Sequence, residues 1–176
     1  PIDIAAVGPW MLRMAGRVAD GVHLHPISTE VYLRTTVAEN IRAGQHEAGR
    51  SADSVQLIAP CFTVVGVNAR EQHVWREMVR TQVAFYGSTP HYAFIFEQIG
   101  HGDVTPRLRE AQKAGDTAAM TAVITDEILE HFIVAAAWDD LSDALVARYG
   151  GLVSRVALYN GAATYDHDPH NYQRLG

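Results

Sequence analysis

Several features that mark secreted, membrane-spanning or nucleic-acid-binding proteins are missing from this sequence. A single cysteine, Cys61, excludes a disulfide framework and fits a reducing compartment. No hydrophobic run reaches the about 20 residues that a membrane span requires, and the chain opens without a signal-peptide pattern. The net charge is −6 and basic runs are absent, which argues against a nucleic-acid partner. We therefore expect a cytoplasmic protein that has neither a membrane nor a nucleic acid as its partner.

The composition is that of a globular protein. The chain has 176 residues, of which 48% are hydrophobic and 19% charged, enough for one domain, 1–176, with its own core. It begins with Pro1 and enters an apolar segment at once. From this start we expect a piece of a longer protein.

The first 26 residues have the pattern of a strand, a helix and a second strand. Ile2–Val7 is a mostly apolar run, typical of a strand buried on both faces. Gly8 ends it, and Pro9 suits the first position of a helix, which then carries one apolar stripe. The segment GVHLH resumes extended structure, so the two strands should be parallel with a right-handed crossover. The bend at Gly8 then lies at the carboxyl end of the first strand, where free N–H groups and the helix dipole favour an anion.

The same patterns predict the remaining elements. They are a helix capped by Ser28 and running to about Ala48, a strand over Val55–Val67 interrupted at Pro60, a helix over Ala69–Tyr86 capped by Asn68, an insertion with two short helices over 88–116, a helix over Thr117–Ala137, a helix from Asp139 or Asp140 to Tyr149, a strand over Leu152–Tyr159 and a polar loop over 160–176. An insertion of this size is often a lid or a wall of a binding site, and a packing extension or an oligomer contact is the alternative.

Four parallel strands separated by helices predict an α/β fold. They form either a small open sheet or half of an eight-stranded barrel, whose usual size is about 250 residues.

Four stretches of the chain resemble a known family. They are AAVGPWMLRMAGRVADGVHLHP, AFYGSTPHYAFIFEQIG, ITDEILEHF and WDDLSDALVARYGGLVSRVALY. They are similar to luciferase-like flavin and deazaflavin oxidoreductases, in the branch that uses coenzyme F420, and the resemblance runs from Ile2 to about Tyr159. It implies the C-terminal half, strands five to eight, of a (β/α)8 TIM barrel. It also implies hydride transfer between a reduced deazaflavin, or FMN as the alternative, and a small organic substrate.

The resemblance also implies a coenzyme site at the first bend. In members of this family, the backbone at the bend holds the coenzyme's phosphate and side chain. The corresponding residues of this chain are Ala6, Val7, Gly8, Pro9 and Met11. We expect glycine at this bend because the backbone must approach the anion closely.

Two histidines of the second strand complete the predicted site. His23 and His25 share one face because strand residues alternate, and Val22 and Leu24 then pack on the helices. His25 lies where the family has a phosphate-contacting hydroxyl residue, and it is the candidate catalytic residue. Ser28 lies where some members place a lysine near the phosphate.

Other side chains are placed near the site by position alone. Tyr159 and Asn160 close the last strand, and Tyr86, His91 and Tyr92 flank the insertion. Cys61 is predicted to be a core residue because nothing nearby in the sequence lowers its pKa.

Two other functions remain open at this stage. His23 and His25 form a His-x-His pair that resembles the zinc pair of amidohydrolase-type hydrolases, with a third ligand from Asp166, His167, Asp168 or His170. The other is a non-catalytic, truncated fragment. A half barrel leaves two open apolar edges, so we expect a homo-oligomer or pairing with another chain.

Overall fold

A computed structural model of the chain describes residues 1–175. Its five parallel strands are connected by helices, which confirms the α/β class. The strands are β1 (Asp3–Ala5), β2 (Gly21–His23), β3 (Gln56–Val65), β4 (Ile133–Ala136) and β5 (Arg155–Leu158). The α-helices are α1 (Pro9–Val18), α2 (Glu30–Tyr32), α3 (Ala38–Glu47), α4 (Ala69–Gly87), α5 (Ala93–Gln98), α6 (Val104–Lys113), α7 (Thr117–Val123), α8 (Asp126–Glu130), α9 (Leu141–Tyr149), α10 (Gly161–His167) and α11 (Pro169–Gln173). A π-helical turn over Leu33–Val37 joins α2 to α3, and 3₁₀ turns over Pro90–Tyr92 and Trp138–Asp140 precede α5 and α9.

The longest strand, β3, connects the rest of the sheet. It pairs with β2 at its start, with β5 in its middle and with β4 over Phe62–Val65, while β1 pairs with β2. The predicted interruption at Pro60 is wrong, because β3 runs through it and Pro60 pairs with Ala157 of β5. The backbone angle of proline fits an extended strand, so only one ladder donor is lost. The partner of β3 changes from β5 to β4 after Cys61, which still pairs with Leu158.

The sheet of β1, β2 and β3 has one face under the helices and one open face. Val22 and Leu24 are buried in the core and His23 is exposed, as the alternation along the strand predicts. On the open face the Nε2 atom of His23 lies 3.2 Å from a carboxylate oxygen of Asp3. Within residues 1–175, β1 pairs only with β2 and β5 pairs only with β3, so the sheet has open edges there.

Helix α1 packs closely on α3 through two glycines. A Cβ atom at Gly44 would lie 2.0 Å from the carbonyl oxygen of Arg13, and one at Gly16 would lie 2.4 Å from that of Ile41. The two helix backbones therefore touch, and only glycine fits at either position. This contact fixes α1, and with it the bend at Gly8, against the rest of the fold.

The structure has a fifth strand, so the predicted helix over Thr117–Ala137 and the predicted count of four strands are both wrong. The helical part is two short helices, α7 and α8, of which α8 is capped by the hydroxyl of Thr125. Ile133–Ala136 then pairs in parallel with Phe62–Val65. A four-residue apolar run has no distinguishing period, so the pairing with β3 decides its conformation.

Two further boundaries differ from the prediction. The long helical segment begins at Glu30 and its cap is Thr29, whose hydroxyl accepts the N–H of Tyr32, rather than Ser28. The tail after β5 is helical, with α10 and α11, rather than a loop. Asp168 caps α11 by accepting the N–H of Asn171, and a proline occupies the first position of that helix.

The insertion over 88–116 is folded onto the body of the protein. It holds two short helices, α5 and α6, as predicted, and Ile95, Phe96, Val104 and Leu108 are buried. The side-chain amide of Gln98 donates to the hydroxyl of Thr36 at 2.8 Å. These contacts bring the insertion to the carboxyl-terminal side of α4 and to the π-helical turn.

In the part of the chain that the structure describes, every helix is too short or too polar to cross a membrane.

Candidate functional site

The candidate site lies where the parallel strands end. In open parallel sheets ligands bind outside the carboxyl ends of the strands, because the loops there face one common crevice. The pairing of Ala5 with His23 places Val7 level with His25, so the bend at Gly8 adjoins the end of β2. The site is therefore built first from the β1–α1 bend and from His25.

The bend presents an uncapped helix start. Gly8 is the N-cap of α1 and has no side chain to accept a hydrogen bond, and Pro9 occupies the first turn. The amide groups of Trp10 and Met11 thus begin the helix without a side-chain acceptor, at the positive end of the helix dipole. A Cβ atom added at Gly8 would have no heavy atom within 4 Å, so the bend borders open space.

The backbone angles at this bend do not themselves require glycine. Gly8 has φ −73° and ψ 154°, an extended conformation that any residue adopts. The backbone itself therefore does not require glycine here. What glycine provides is the free space beside the bend.

A buried tyrosine is hydrogen-bonded to the residue directly before the bend. The Tyr32 side chain is fully buried, and its hydroxyl donates to the carbonyl oxygen of Val7 at 2.7 Å. Burial raises the pKa of Tyr32, so the phenol keeps its proton and remains a donor. Its ring also lies 5.9 Å from that of Phe94 in the insertion. Tyr32 thus links the end of β1 to the insertion.

Within residues 1–175, the imidazole of His25 has a hydrogen-bond partner at one nitrogen and none at the other. Its Nδ1 atom accepts the N–H of Ile27 at 3.1 Å, which leaves the ring proton on Nε2. Burial lowers the pKa of His25, which favours the same neutral form. The ring lies between Tyr86 and Tyr92, with both centroid distances at 4.7 Å. His25 can therefore donate one hydrogen bond from a fixed position to a ligand.

Two phenols from distant parts of the chain meet beside His25. The hydroxyl groups of Tyr86, at the end of α4, and Tyr159, directly after β5, are hydrogen-bonded at 2.5 Å. One turn earlier on α4, Gln82 exchanges two amide hydrogen bonds with Asn160, at 3.2 and 3.3 Å. The bond to Tyr86 is the main cause that raises the pKa of Tyr159 to about 12. We call His25, Tyr86, Tyr92 and Tyr159 the aromatic cluster.

The structure brings some of the predicted residues together and leaves others apart. The register of β1 and β2 brings the bend of Ala6, Val7, Gly8, Pro9 and Met11 to the end of β2, which His25 follows. Ser28 is buried, and its hydroxyl donates to the carbonyl oxygen of His25 at 2.6 Å. Its proton is thus already engaged, so Ser28 supports the His25 loop and offers no free donor to a phosphate.

His23 lies with Asp3 on the open face rather than with the aromatic cluster. The tail residues of the zinc hypothesis are engaged elsewhere: His167 contacts Trp75, and Asp168 caps α11. Within residues 1–175, no three histidine, cysteine, aspartate or glutamate side chains lie close enough together to hold a metal ion.

Cys61 is buried in the core, as predicted. Burial raises its pKa to about 11, so the thiol stays protonated and unreactive.

Sequence reasoning missed Tyr32 entirely and left Tyr86 and Tyr159 unconnected. The partners of these side chains are 25 and 73 residues away along the chain, so no local motif joins them. The only available signal was position, since Tyr86 and Tyr159 each close an element predicted to end near the site.

A parallel sheet with crossover helices, and a candidate site at the carboxyl ends of its strands, defines an α/β protein. Residues 1–155 of the chain match the luciferase-like monooxygenase family. The chain belongs to this family.

Several relatives are similar to the chain over most of its length. An uncharacterized protein of Mycobacterium tuberculosis strain H37Rv is 37% identical over 155 residues, which cover 88% of this chain and 46% of that protein. A 5,10-methylenetetrahydromethanopterin reductase of Archaeoglobus fulgidus is 31% identical, covering 82% of this chain and 43% of the reductase. Among solved structures, the coenzyme F420 dependent tetrahydromethanopterin reductase of Methanopyrus kandleri matches with a TM-score of 0.68 and 25% identity, over 89% of this chain and 44% of that one. The chain thus spans less than half the length of these relatives.

The residues at the bend fit an anionic coenzyme tail. The start of α1 has no side-chain cap, the bend at Gly8 borders open space, and His25 supplies a further donor level with Val7. Such a set of neutral donors binds an anion without a charged side chain. This fit applies to the negatively charged tail of the coenzyme, because the described residues around the bend offer N–H donors and an anion accepts from them.

Proposed function

We propose that this chain forms part of a coenzyme F420-dependent oxidoreductase, with FMN as the alternative coenzyme. When bound, the reduced coenzyme supplies a hydride to a small organic substrate. The family match and the names of the F420-dependent and methylenetetrahydromethanopterin reductases support the coenzyme class. The observation that carries the proposal is the bend at Gly8, where an uncapped helix start and free space adjoin His25.

In this proposal the chain's own residues bind and orient the coenzyme. The amides of Trp10 and Met11 bind the negatively charged tail at the start of α1. His25 donates from Nε2 to the same ligand or to the substrate beside it. Tyr32 keeps the end of β1 in place through its bond to the Val7 carbonyl. The insertion forms a wall of the site, because Tyr92 contacts His25.

We also propose that the chain is the C-terminal half of a TIM barrel and that further strands cover its edges. Within residues 1–175, β1 pairs only with β2 and β5 only with β3, and unpaired parallel edges favour pairing with more strands. These strands belong to a longer protein, to a second copy or to another chain. We call the chain together with its covering strands the completed protein. Light scattering of the purified chain tests this, since a stable monomer contradicts the need for covering strands.

A fluorescence titration of the completed protein with F420 tests the coenzyme assignment, with FMN titrated in parallel. We expect saturable binding of F420 and weaker binding of FMN. His25→Gln should weaken F420 binding by about tenfold or more, because a hydrogen bond to a charged group contributes about 1.5 to 3 kcal/mol. Tyr165→Phe is the matched control, since Tyr165 is on α10 and contacts Tyr172 instead of the aromatic cluster. Wild-type protein that binds neither coenzyme contradicts the proposal.

A further inference from the structure

The aromatic cluster contains more than a coenzyme-binding wall requires. Its four side chains come from the end of β2, the end of α4, the insertion and the end of β5. Two of the four are phenols joined directly to each other, although Tyr159 is 38% exposed and could bond to water instead. A direct bond between two phenols at this position therefore suggests a role in the site.

The position of the pair is fixed by links on both sides. The N–H of Tyr159 donates to the carbonyl oxygen of Cys61 at 2.9 Å, and this bond holds Tyr159 beside β3. The Gln82–Asn160 amide pair fastens α4 to the end of β5 one turn before Tyr86. The ring of Tyr86 also meets the ring of His25 edge to face, at an interplanar angle of 87°. Both phenol oxygens are thus held in one place before any ligand binds.

In a pair of phenols one hydroxyl donates and the other accepts. The acceptor keeps its own proton free for a third group. The ring of Tyr86 meets that of His25, whereas Tyr159 is exposed to solvent, so the arrangement that serves the site is the one in which Tyr159 donates to Tyr86. In that arrangement the free proton is that of Tyr86, on the side of His25.

We propose that Tyr86 donates the proton that completes reduction of a carbon–heteroatom double bond at this site, and that Tyr159 positions it. This inference rests on the proposed function. The carbon of a C=O or C=N group accepts the hydride with its two electrons from the reduced deazaflavin, and the π bond breaks. The heteroatom takes the proton from the Tyr86 oxygen. The resulting phenolate accepts a proton from Tyr159 through their hydrogen bond, and solvent restores Tyr159.

The first test needs no substrate. Tyrosinate absorbance near 295 nm is followed against pH for the wild type, Tyr86→Phe and Tyr165→Phe. In Tyr86→Phe the pKa of Tyr159, which the bond to Tyr86 raises, should fall toward the ordinary tyrosine value, because its hydrogen-bond partner is gone. Tyr165→Phe should lose one ordinary tyrosine and leave that titration in place. A titration of Tyr159 that does not change in Tyr86→Phe overturns the proposal.

The second test measures turnover of the completed protein with reduced F420 and a panel of aldehydes, ketones and imines. For the panel member that reacts fastest, Tyr86→Phe should lower kcat by about 100-fold or more, as removal of a general acid does, with F420 affinity within about twofold. Tyr159→Phe should lower kcat less, and Tyr165→Phe should leave it unchanged.

The outcomes separate this inference from the coenzyme assignment. If the wild type binds F420 but Tyr86→Phe keeps the wild-type kcat, the proton-donor role is wrong and the coenzyme site stands. If the wild type binds F420 and reduces no member of the panel, the proton-donor role is likewise overturned. If the wild type does not bind F420, both proposals fail.

Discussion

Replacing Tyr32 with phenylalanine removes one buried hydroxyl and little else. That hydroxyl is the donor to the Val7 carbonyl, and the tyrosine is fully buried. Loss of a hydrogen bond that leaves a partly buried acceptor unpaired costs about 1 to 2 kcal/mol. For a domain of 150 to 250 residues, each kcal/mol corresponds to about 2 to 4 °C in melting temperature. We therefore expect Tyr32→Phe to lower Tm by about 2 to 8 °C.

Thermal unfolding followed by far-ultraviolet circular dichroism measures this effect, with urea unfolding as a second assay. Tyr165→Phe serves as the control, because Tyr165 is 41% exposed and its removal should change the free energy of unfolding by no more than about 0.5 kcal/mol. If Tyr32→Phe is as stable as Tyr165→Phe, the hydroxyl does not hold the end of β1. The proposed support of the bend would then be refuted.

Three other predictions concern the contact between α1 and α3, the burial of His25 and the burial of Cys61. Gly44→Ala should destabilise the fold by about 1 to 3 kcal/mol or more in urea unfolding, because its Cβ would lie 2.0 Å from the Arg13 carbonyl oxygen; wild-type stability would show that α1 and α3 are farther apart. Burial lowers the pKa of His25, so below its ordinary value of about 6.5 the unfolded chain binds a proton that the folded chain does not. The free energy of unfolding should thus decrease as pH falls through about 6.5, and His25→Gln should reduce this decrease; an equal slope in both proteins would contradict the burial of His25. Because burial raises the pKa of Cys61 to about 11, native protein at pH 8 should react with a thiol reagent only when it unfolds, and rapid labelling would contradict its place in the core.

The sequence predicted those elements whose ends have strong local signals. Gly8-Pro9 and Asp20-Gly21 mark the ends of α1, and the structure has the parallel pair β1–β2 around it. Asn68 caps α4 by accepting the N–H of Glu71, as predicted. At these positions the backbone preference of a few neighbouring residues decides the structure.

The misses have a different physical origin. Ile133–Ala136 is a strand because it pairs with Phe62–Val65, and a short apolar run does not reveal its partner. The tail was predicted as a loop from its polarity, although Asp168 followed by Pro169 is a typical helix start.

The candidate site was predicted only in part, because some of its positions depend on local sequence and others on contacts between distant residues. The bend and the alternation of Val22, His23 and Leu24 follow from local pattern, and the burial of Val22 and Leu24 beside an exposed His23 confirms that alternation. Tyr32 and the phenol pair depend on contacts between residues far apart in the chain, which only the folded structure brings together.

The central claim is that the bend at Gly8 binds the negatively charged tail of a deazaflavin, and a bulky residue at this position tests it most directly. The Cβ of a new side chain at Gly8 meets no protein atom within 4 Å, and the backbone angles suit any residue, so Gly8→Phe should fold and melt as the wild type does. Its ring would fill the space that the tail occupies. We predict that F420 affinity of the completed protein, measured by fluorescence titration, falls by about tenfold or more in Gly8→Phe and changes little in Gly8→Ala. Equal affinity of Gly8→Phe and wild type for F420 would contradict the account.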